Sequence, residues 1–510
     1  MSLKYFIITF GCQMNKSDSE RIAAVLEKIG YRSASDITEA DLIVVNACSV
    51  RQSAVDRIYG QIKKSKRKNQ NYKSKFKIIL TGCLLDADMK KLKEKVDYVL
   101  PIKALKSWPR FLKKEKYFYY PNPRNSAYKE KPDYNIKYLK VKPKYSSEFS
   151  AFVPISTGCD NFCSYCVVPY TRGPEYSRPS EEIITEVKNL IKKEYKEIIL
   201  LGQNVNSYSW NIKYGTWNKI KVKSQSSKVK STIQKSKIIN FPRLLKMIND
   251  IPGNFWIRFL TSHPKDFSDE LIKAITKCEK VCPYIHLPVQ SGDDEILKAM
   301  NRKYTVKDYK NLVQKIRHKI PGVAVSTDVI VGFPGETKRQ FQNTVKLFKE
   351  IKFDMAYIAQ YSPRAGTAAF KLKDNVPREE KKQREKILTE ILRQTALENN
   401  QKYIGKIVEI LVEKPYRQTI QKCHPKFISG SVNLIKQHNN KILKQAQNDR
   451  TDDFLVFRQS ATGWLGKTRT FKTVKIQPMA GNQQLTANIG DFVKVKIIGA
   501  TSWGLKGKLF

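Results

Sequence analysis

Three cysteines lie within eight positions of the chain, at Cys159, Cys163 and Cys166 in the stretch TGCDNFCSYCVVPYTRG (157–173). Zinc sites usually show two C-x2-C pairs or a set of Cys and His ligands, and no matching second pair lies nearby. A [4Fe–4S] cluster accepts thiolates from one compact loop, and three protein ligands leave one of its irons open. The C-x3-C-x2-C spacing therefore predicts a cluster with an open iron.

Three other cysteines, Cys12, Cys48 and Cys83, follow directly on the apolar runs YFIITF, DLIVVN and FKIILT. Helical patterns come after these runs, starting at about Ser17, Arg51 and Asp86. The alternation predicts a doubly wound parallel α/β domain over 1–105. Parallel strands end at one edge of their sheet, so the three cysteines should meet there. The alternative, cysteines buried as small apolar side chains, poorly explains three strand-end positions.

The middle of the chain, 151–403, contains six strand-like runs that are each followed by a helical pattern. The runs are AFVPIST, EIILLGQ, FWIRFLT, PYIHLPV, VAVSTDVIVGF and DMAYIAQYS. Six units predict a partial (β/α)6 barrel rather than the full eight, with active-site residues in the loops after the strands. The cysteines of 157–173 follow the first of these strands. The first helix should have Ser180 as its N-cap and should bury Ile183, Ile184, Val187, Leu190 and Ile191.

The remaining segments differ in composition from these two domains. Residues 106–150 are rich in Lys, Tyr and Pro, which predicts a linker whose Tyr and Lys could also touch RNA. Residues 209–240 hold eight Lys and no acidic residue, and this insertion is either merely solvated or an RNA-binding arm. The alternating stretch 404–510 predicts a small β-barrel with a polar insertion at about 415–460. The adjacent Cys423 and His424 in that insertion are most simply incidental.

Charge is the strongest signal in the composition. The 510 residues include 94 Lys and Arg against 47 acidic residues, a net charge of +47. This excess predicts salt-sensitive attraction to nucleic acid, although a proteome that favours Lys on every surface would give the same composition. No run approaches the roughly 18 apolar residues of a membrane span, and the N-terminus has no signal-peptide pattern. We therefore expect a cytoplasmic protein without membrane contact, whose nine cysteines do not form disulfides.

The cysteine triplet after the first strand of a six-unit partial barrel resembles the radical S-adenosylmethionine superfamily. Within it, the chain is similar along nearly its whole length to the methylthiotransferase family, whose small C-terminal RNA-binding barrel (the TRAM domain) matches the alternating tail. The matching stretches are GCQMNKSDSE, NACSVR, GCDNFCSYCVVPYTRG, LLGQNVNSY, TSHP, IHLPVQSGDDEILKAMNRKYT, STDVIVGFPGET and YSPRAGT. The sequence GCLLD at Cys83 departs from the Ala-Gln that the family usually has after this cysteine, and the two long insertions are unusual. Neither difference removes a ligand that the resemblance implies.

The resemblance implies two [4Fe–4S] clusters and S-adenosylmethionine as cofactors. One cluster would lie on Cys159, Cys163 and Cys166 and bind S-adenosylmethionine at its open iron, and an auxiliary cluster would lie on Cys12, Cys48 and Cys83. The strand-end motifs LLGQN and VIVGFPGE would help to hold S-adenosylmethionine through Gly202, Gln203 and Gly332. Cleavage of S-adenosylmethionine would give a 5′-deoxyadenosyl radical that takes hydrogen from carbon 2 of an adenine. The auxiliary cluster would supply sulfur, and a second S-adenosylmethionine would supply its methyl group.

The implied substrate is N6-dimethylallyl(isopentenyl)adenosine beside the anticodon in tRNA. The implied partners are a low-potential electron donor, such as flavodoxin or ferredoxin, and a sulfur source; we expect a monomer. Two alternatives inside the family act on threonylcarbamoyladenosine in tRNA or on a ribosomal-protein aspartate, but their motifs after the first cysteine typically differ from QMN. An alternative of another class is a non-catalytic RNA-binding iron–sulfur protein, which would not need a six-unit barrel.

Two further sets of residues remain open. His286, on an apolar strand, is either a satisfied core histidine or a site residue. The basic tail offers Lys494, Lys496, Lys506 and Lys508 for contacts with RNA phosphates. Beyond the cluster ligands, no residue is assigned a catalytic role.

Overall fold

The structure, a computed structural model, describes residues 2–49, 60, 76–113, 118–119, 137–212, 238–416, 463–477 and 487–510. The helix predicted from about Arg51, the middle of the insertion at 209–240, and the pair Cys423 and His424 lie outside the described residues. Within the described ranges, no helix is both long enough and apolar enough to cross a bilayer.

The N-terminal domain is a parallel sheet covered on both faces. Its strands are β1 Lys4–Thr9, β2 Arg32–Ser33, β3 Leu42–Cys48, β4 Lys77–Cys83, β5 Tyr98–Val99 and β6 Phe118–Tyr119. They lie in the order β2-β1-β3-β4-β5-β6. Along β3, Val44 packs in one core with the helix Gln13–Lys28, and Val45 packs in a second core with the helix Asp86–Leu92. The doubly wound α/β prediction is confirmed.

The first helix begins one turn before the predicted start at Ser17. Its N-cap is Cys12, in extended backbone and without a side-chain cap hydrogen bond, and the helix runs over Gln13–Lys28. The sequence does not indicate this start, because cysteine is not among the usual N-cap residues Ser, Thr, Asp and Asn. The helix Asp86–Leu92 begins at the predicted residue.

Parts of the segment 106–150 are built into the N-terminal domain. The helix Trp108–Lys113 lies at its start, and β6 pairs with β5. The 3-10 turn Lys137–Lys140 buries Tyr138 and Leu139 in the same core as Trp108. Elements of two to six residues are too short to show a hydrophobic period, which is why the sequence predicts only a linker here.

The central domain is a partial barrel of six parallel strands, as the repeated units predict. Its strands and short ribbons are β7 Ser150–Pro154, β8 Ser156–Thr157, β9 Tyr176–Ser177, β10 Glu197–Leu201, β11 Ser209–Asn211, β12 Ile238–Asn240, β13 Trp256–Leu260, β14 Tyr284–His286, β15 Ala324–Val331 and β16 Met355–Gln360. Two sheets, β13-β10-β7 and β14-β15-β16, make the barrel wall. They meet where Cys282 N–H donates to Ile257 O at 2.9 Å. The insertion at 209–240 starts and ends as the antiparallel pair β11 and β12.

The remaining helices of the central domain follow its strands. They span Val168–Thr171, Ser180–Ile191, Phe241–Asn249, Asp269–Lys277, Asp294–Ala299, Val306–Lys319, Lys338–Ile351 and Arg378–Gln401. The helix Ser180–Ile191 packs its predicted apolar face on the barrel core. Its N-cap, however, is Pro179 and not Ser180. Ser180 cannot cap because it is already the first helical residue, and its hydroxyl donates to Glu181 at 3.0 Å.

The C-terminal domain is the predicted small β-barrel. Its strands are β17 Ile407–Tyr416, β18 Gly463–Thr468, β19 Thr473–Gln477, β20 Phe492–Thr501 and β21 Gly504–Leu509. They close in the order β17-β18-β19-β21-β20. Alternate residues such as Ile410, Val474 and Val495 fill the interior.

This small barrel covers the N-terminal end of the central strands. Arg258, in the middle of β13, donates to the carbonyls of Thr468 and Arg469 at 2.8 and 2.7 Å. The rings of Trp256 and Phe492 lie 4.7 Å apart. Since the small barrel occupies that end, the opposite end, with the loops that follow the strands, is left for the cysteines.

Candidate metal centres

The structure brings Cys12, Cys48 and Cys83 to one edge of the N-terminal sheet. Cys48 and Cys83 are the last residues of β3 and β4 and lie opposite each other in register. The thiols of Cys12 and Cys83 both face Asn15 Oδ1, at 3.4 and 3.9 Å. At Gly11, with φ +121°, an added Cβ would lie 2.8 Å from Cys48 Cβ, so only glycine allows this close approach. The predicted meeting of the three cysteines is therefore present.

Asn15 is a buried residue of this edge that sequence reasoning missed. Its amide donates to Asn46 Oδ1 at 3.2 Å and to Ala47 O at 3.1 Å. Asn46 in turn donates to Asn15 O at 2.8 Å. These bonds fix the side-chain oxygen among the thiols. The only signal was the position of Asn15 within GCQMN, three residues after the first cysteine.

The second triplet lies in the loop that follows β8. Cys166 N–H donates to Cys163 O at 3.0 Å, which closes a turn between two of the cysteines. Asn161 donates a side-chain N–H to Cys159 Sγ at 3.4 Å. Arg302, from the loop after the helix Asp294–Ala299, donates to Cys163 Sγ at 3.4 Å. The thiols thus sit in a compact loop with hydrogen-bond donors aimed at the sulfurs.

Burial strongly affects the acidity of these thiols. It raises the pKa of Cys83 and Cys166 to about 12, and that of Cys159 to about 11. The neighbouring cysteines contribute a smaller part of these raised pKa values. Thiols of this kind stay protonated at neutral pH unless a cation displaces the proton, so they are poor nucleophiles by themselves. The donor set suits a bound iron–sulfur cluster.

The described residues contain no group of three His, Cys, Asp or Glu side chains gathered as one metal ion would require. The fit to a cluster rests instead on the two sets of three thiols and on the arginine donors beside them.

Arg172 connects the two triplets. Its Nε donates to Cys83 Sγ at 2.9 Å, and its Nη2 donates to Asp18 at 2.7 Å. The next residue, Gly173, accepts a hydrogen bond from Cys159 N–H at 3.2 Å. The edge of the N-terminal sheet therefore faces the cysteine loop of the barrel, and both triplets border one region.

The three residues predicted to hold S-adenosylmethionine all lie against other residues of the protein. Gln203 Oε1 accepts from Gly158 N–H at 2.6 Å, so this side chain fixes the loop just before Cys159. A Cβ on Gly202 would lie 2.5 Å from Ser156 Oγ. Gly332, with φ +68°, donates to Glu336 at 2.6 Å, and its Cβ would meet Lys381 at 2.3 Å. Packing against protein accounts for both glycines, and their contact with S-adenosylmethionine stays a prediction.

His286 is a bonded residue of the barrel wall. Its Nδ1 pairs with Ser326 Oγ at 2.9 Å and its Nε2 with Asp328 at 3.2 Å. The ring of Tyr357 lies 5.8 Å away, and this tyrosine is 48% exposed. Alternate residues of β15, Val325 and Val329, pack outward in the core under the helices, so Ser326 and Asp328 point into the barrel. His286 is thus a satisfied histidine whose partners line the interior.

A row of exposed lysines covers one face of the small C-terminal barrel. Its members lie on β19, β20 and β21: Lys475, Lys494, Lys496, Lys506 and Lys508. Lys496 is opposite Lys508 and Lys475 is opposite Lys506 in the strand registers. Like charges placed directly opposite destabilise a sheet, so this lysine face suits a surface that a polyanion neutralises.

Two family models match the sequence. The model described as the radical SAM superfamily matches residues 153–348, and the model described as uncharacterized protein family UPF0004 matches residues 4–101. Among solved structures, the radical S-adenosylmethionine methyltransferase TsrM of Kitasatospora setae has a TM-score of 0.45 at 12% identity, over 71% of this chain and 75% of that one.

Several curated proteins are similar over nearly the whole length. The tRNA-2-methylthio-N(6)-dimethylallyladenosine synthase of Clostridium novyi (strain NT) is 42% identical over 84% of this chain and 90% of its own. The protein of the same name from Clostridium botulinum (strain Langeland) is 38% identical over 99% and 96%. That of Thermoanaerobacter pseudethanolicus is 37% identical over 100% and 93%.

Proposed function

The chain belongs to the radical S-adenosylmethionine methylthiotransferase family, and we propose on that premise that it methylthiolates carbon 2 of N6-dimethylallyladenosine beside the anticodon in tRNA. The relatives that are 37–42% identical carry the name of this tRNA-modifying enzyme. The similarity to the protein of Thermoanaerobacter pseudethanolicus extends over 100% of the chain and therefore spans both cysteine triplets. The alternative substrates, threonylcarbamoyladenosine and a ribosomal-protein aspartate, are not favoured by these relatives.

The family uses S-adenosylmethionine and a [4Fe–4S] cluster. We assign this cluster to Cys159, Cys163 and Cys166, and a second one to Cys12, Cys48 and Cys83. When bound, the first supplies the electron that cleaves S-adenosylmethionine, and the second supplies sulfur. The residues of the chain position the cysteine loop. Gln203 holds the start of this loop, and Arg302 donates a hydrogen bond to Cys163 Sγ.

One observation carries the proposal that both triplets serve one reaction. Arg172 binds Cys83 directly, and its neighbour Gly173 accepts from the backbone of Cys159. A carbon radical must meet its sulfur source before it meets another group, so the two sites must border one cavity. An adenine has to leave its stack to enter such a cavity, which is easier from an anticodon loop than from a duplex.

The partners follow from this chemistry. We propose a low-potential electron donor of the flavodoxin or ferredoxin type, because each cleavage of S-adenosylmethionine consumes one electron. A sulfur source must restore the second cluster after each turnover. Since tRNA is the substrate, we place the protein in the cytoplasm, and a monomer stays our prediction.

The direct test is mass spectrometry of tRNA nucleosides from cells that lack this protein. We expect N6-dimethylallyladenosine to accumulate and its 2-methylthio derivative to disappear, and return of the gene should restore the derivative. Loss of a methylthio group from threonylcarbamoyladenosine, with the dimethylallyl nucleoside unchanged, would contradict the assigned substrate.

We expect the lysine face of the C-terminal barrel to bind tRNA phosphates. Replacement of Lys494, Lys496, Lys506 and Lys508 by Gln should weaken binding and reduce the slope of log affinity against log salt by up to about 4, because each phosphate contact contributes about one. Substitution is a cleaner test than deletion of the domain, since deletion would strip the cover from Trp256 and Arg258. Binding titrations at several salt concentrations provide the measurement.

A matched control removes four positive charges from a different surface. Lys338, Arg339, Lys346 and Lys349 are exposed on the helix Lys338–Ile351 on the outside of the partial barrel. Their replacement by Gln should change the salt slope much less. Equal effects of the two variants would show that net charge alone, and not this face, governs binding.

A further inference from the structure

Arg172 is a buried cation that contacts both a thiol and a carboxylate. Its side chain is 4% exposed and Asp18 is fully buried. Nε donates to Cys83 Sγ at 2.9 Å, Nη2 donates to Asp18 Oδ2 at 2.7 Å, and Nη1 donates to Tyr138 Oη at 3.4 Å. The planar guanidinium thus serves three groups of the N-terminal domain from a position in the loop of the central domain.

This arrangement requires an arginine and could not be made by a lysine. An ammonium group cannot serve the sulfur and the carboxylate in the same fixed geometry, because that needs the rigid fork of a guanidinium. The guanidinium contacts Cys83 Sγ directly through Nε, at 2.9 Å, whereas the Asp18 carboxylate is bonded to Nη2. The charge in contact with the sulfur is therefore positive.

We propose that Arg172 is a positioning residue for the second cluster. Arg172 holds the Cys83 sulfur toward the barrel and thereby makes that cluster easier to reduce. The inference rests on the proposed function, which puts a cluster on Cys12, Cys48 and Cys83. Hydrogen bonds and positive charge at a ligand sulfur favour the more negative, reduced form of an iron–sulfur cluster. One electron from an external one-electron reductant enters the cluster, and no bond to Arg172 forms or breaks.

A second buried arginine provides the comparison. Arg364, 3% exposed, donates to Asp88 at 2.5 Å and likewise joins the central domain to the N-terminal domain. Its ion-pair partner Asp88 belongs to the helix Asp86–Leu92 and is not one of the cysteines that we assign as cluster ligands. If Arg172 merely held the two domains together, loss of either ion pair would have the same consequence.

The experiment uses the full chain with Cys159, Cys163 and Cys166 replaced by Ala, so that only the second cluster contributes. Arg172→Gln is combined with Asp18→Asn, because a lone substitution would leave a buried carboxylate without its cation. The control combines Arg364→Gln with Asp88→Asn. After anaerobic reconstitution, iron content is determined and the midpoint potential is measured by titration with dithionite, followed by electron paramagnetic resonance of the reduced cluster.

In the Arg172 pair we expect a more negative midpoint potential, by at least about 59 mV for a tenfold change in a one-electron equilibrium. The control should keep the parent potential. Loss of iron in the Arg172 pair alone would also support the positioning role. An unchanged potential with iron retained, or equal loss of iron in both pairs, would overturn the proposal. Absence of iron from the parent protein would instead refute the second cluster itself.

Discussion

Replacement of Cys48 by Ala is expected to abolish methylthiolation of tRNA while reductive cleavage of S-adenosylmethionine continues. Cys48 ends β3 beside Cys83 and takes no part in the cysteine loop of the barrel. Loss of one thiolate from a set of three should release or cripple the second cluster, which we assign as the sulfur donor. The loop around Cys159 keeps its own contacts with Asn161 and Gln203.

The two outcomes are measured in the same anaerobic reaction. Liquid chromatography with mass spectrometry quantifies 5′-deoxyadenosine and the 2-methylthio nucleoside after addition of reductant, S-adenosylmethionine and substrate tRNA. Cys278→Ala serves as the control, because Cys278 is a buried cysteine that packs in the hydrophobic core of the central domain. Normal methylthiolation by the Cys48 variant would show that the N-terminal cysteines do not supply the sulfur.

The strands and the meeting of the N-terminal cysteines follow from local sequence. A buried parallel strand reads as a continuous apolar run, and β3 and β4 are such runs. Because parallel strands end at one edge, Cys48 and Cys83 had to lie at the same edge once both runs were identified, and the structure places them opposite each other there. The same reasoning gives the six strands of the partial barrel and the position of the second triplet after the first of them.

The residues that join the two centres could not be found in this way. Arg172 lies 89 positions from Cys83 and 154 from Asp18. No local period or motif spacing encodes such a contact, which depends on how the two domains pack. Arg302 is likewise far from Cys163 in the sequence, 139 positions away.

Helix caps and short elements were the other features in which the structure differs from the sequence-based prediction. Cys12 caps a helix without being a usual cap residue, so the helix starts before the predicted Ser17. Tyr138 and Leu139 complete the N-terminal core from a turn of four residues. An isolated turn has no hydrophobic period, and its burial depends on the domain it meets.

The second large effect concerns the cysteine loop of the barrel. We expect replacement of Cys159, Cys163 and Cys166 by Ala to abolish both S-adenosylmethionine cleavage and methylthiolation, with about half of the iron retained. The N-terminal set keeps Asn15, Asn46 and its sheet register, none of which depends on the replaced thiols. Replacement of Cys12, Cys48 and Cys83 should leave the other half of the iron.

Iron and sulfide analysis after anaerobic reconstitution distinguishes two cluster sites from zinc sites and from cysteines that bind no metal. Full zinc occupancy without iron in the anaerobically purified parent would show that the triplets are not cluster sites. Retention of all the iron in either triple variant would show that its cysteines are not ligands. We expect cleavage of S-adenosylmethionine to depend on the barrel triplet alone, because we assign the cluster that would bind S-adenosylmethionine to Cys159, Cys163 and Cys166, in the loop after the first barrel strand, where such barrels place their active site.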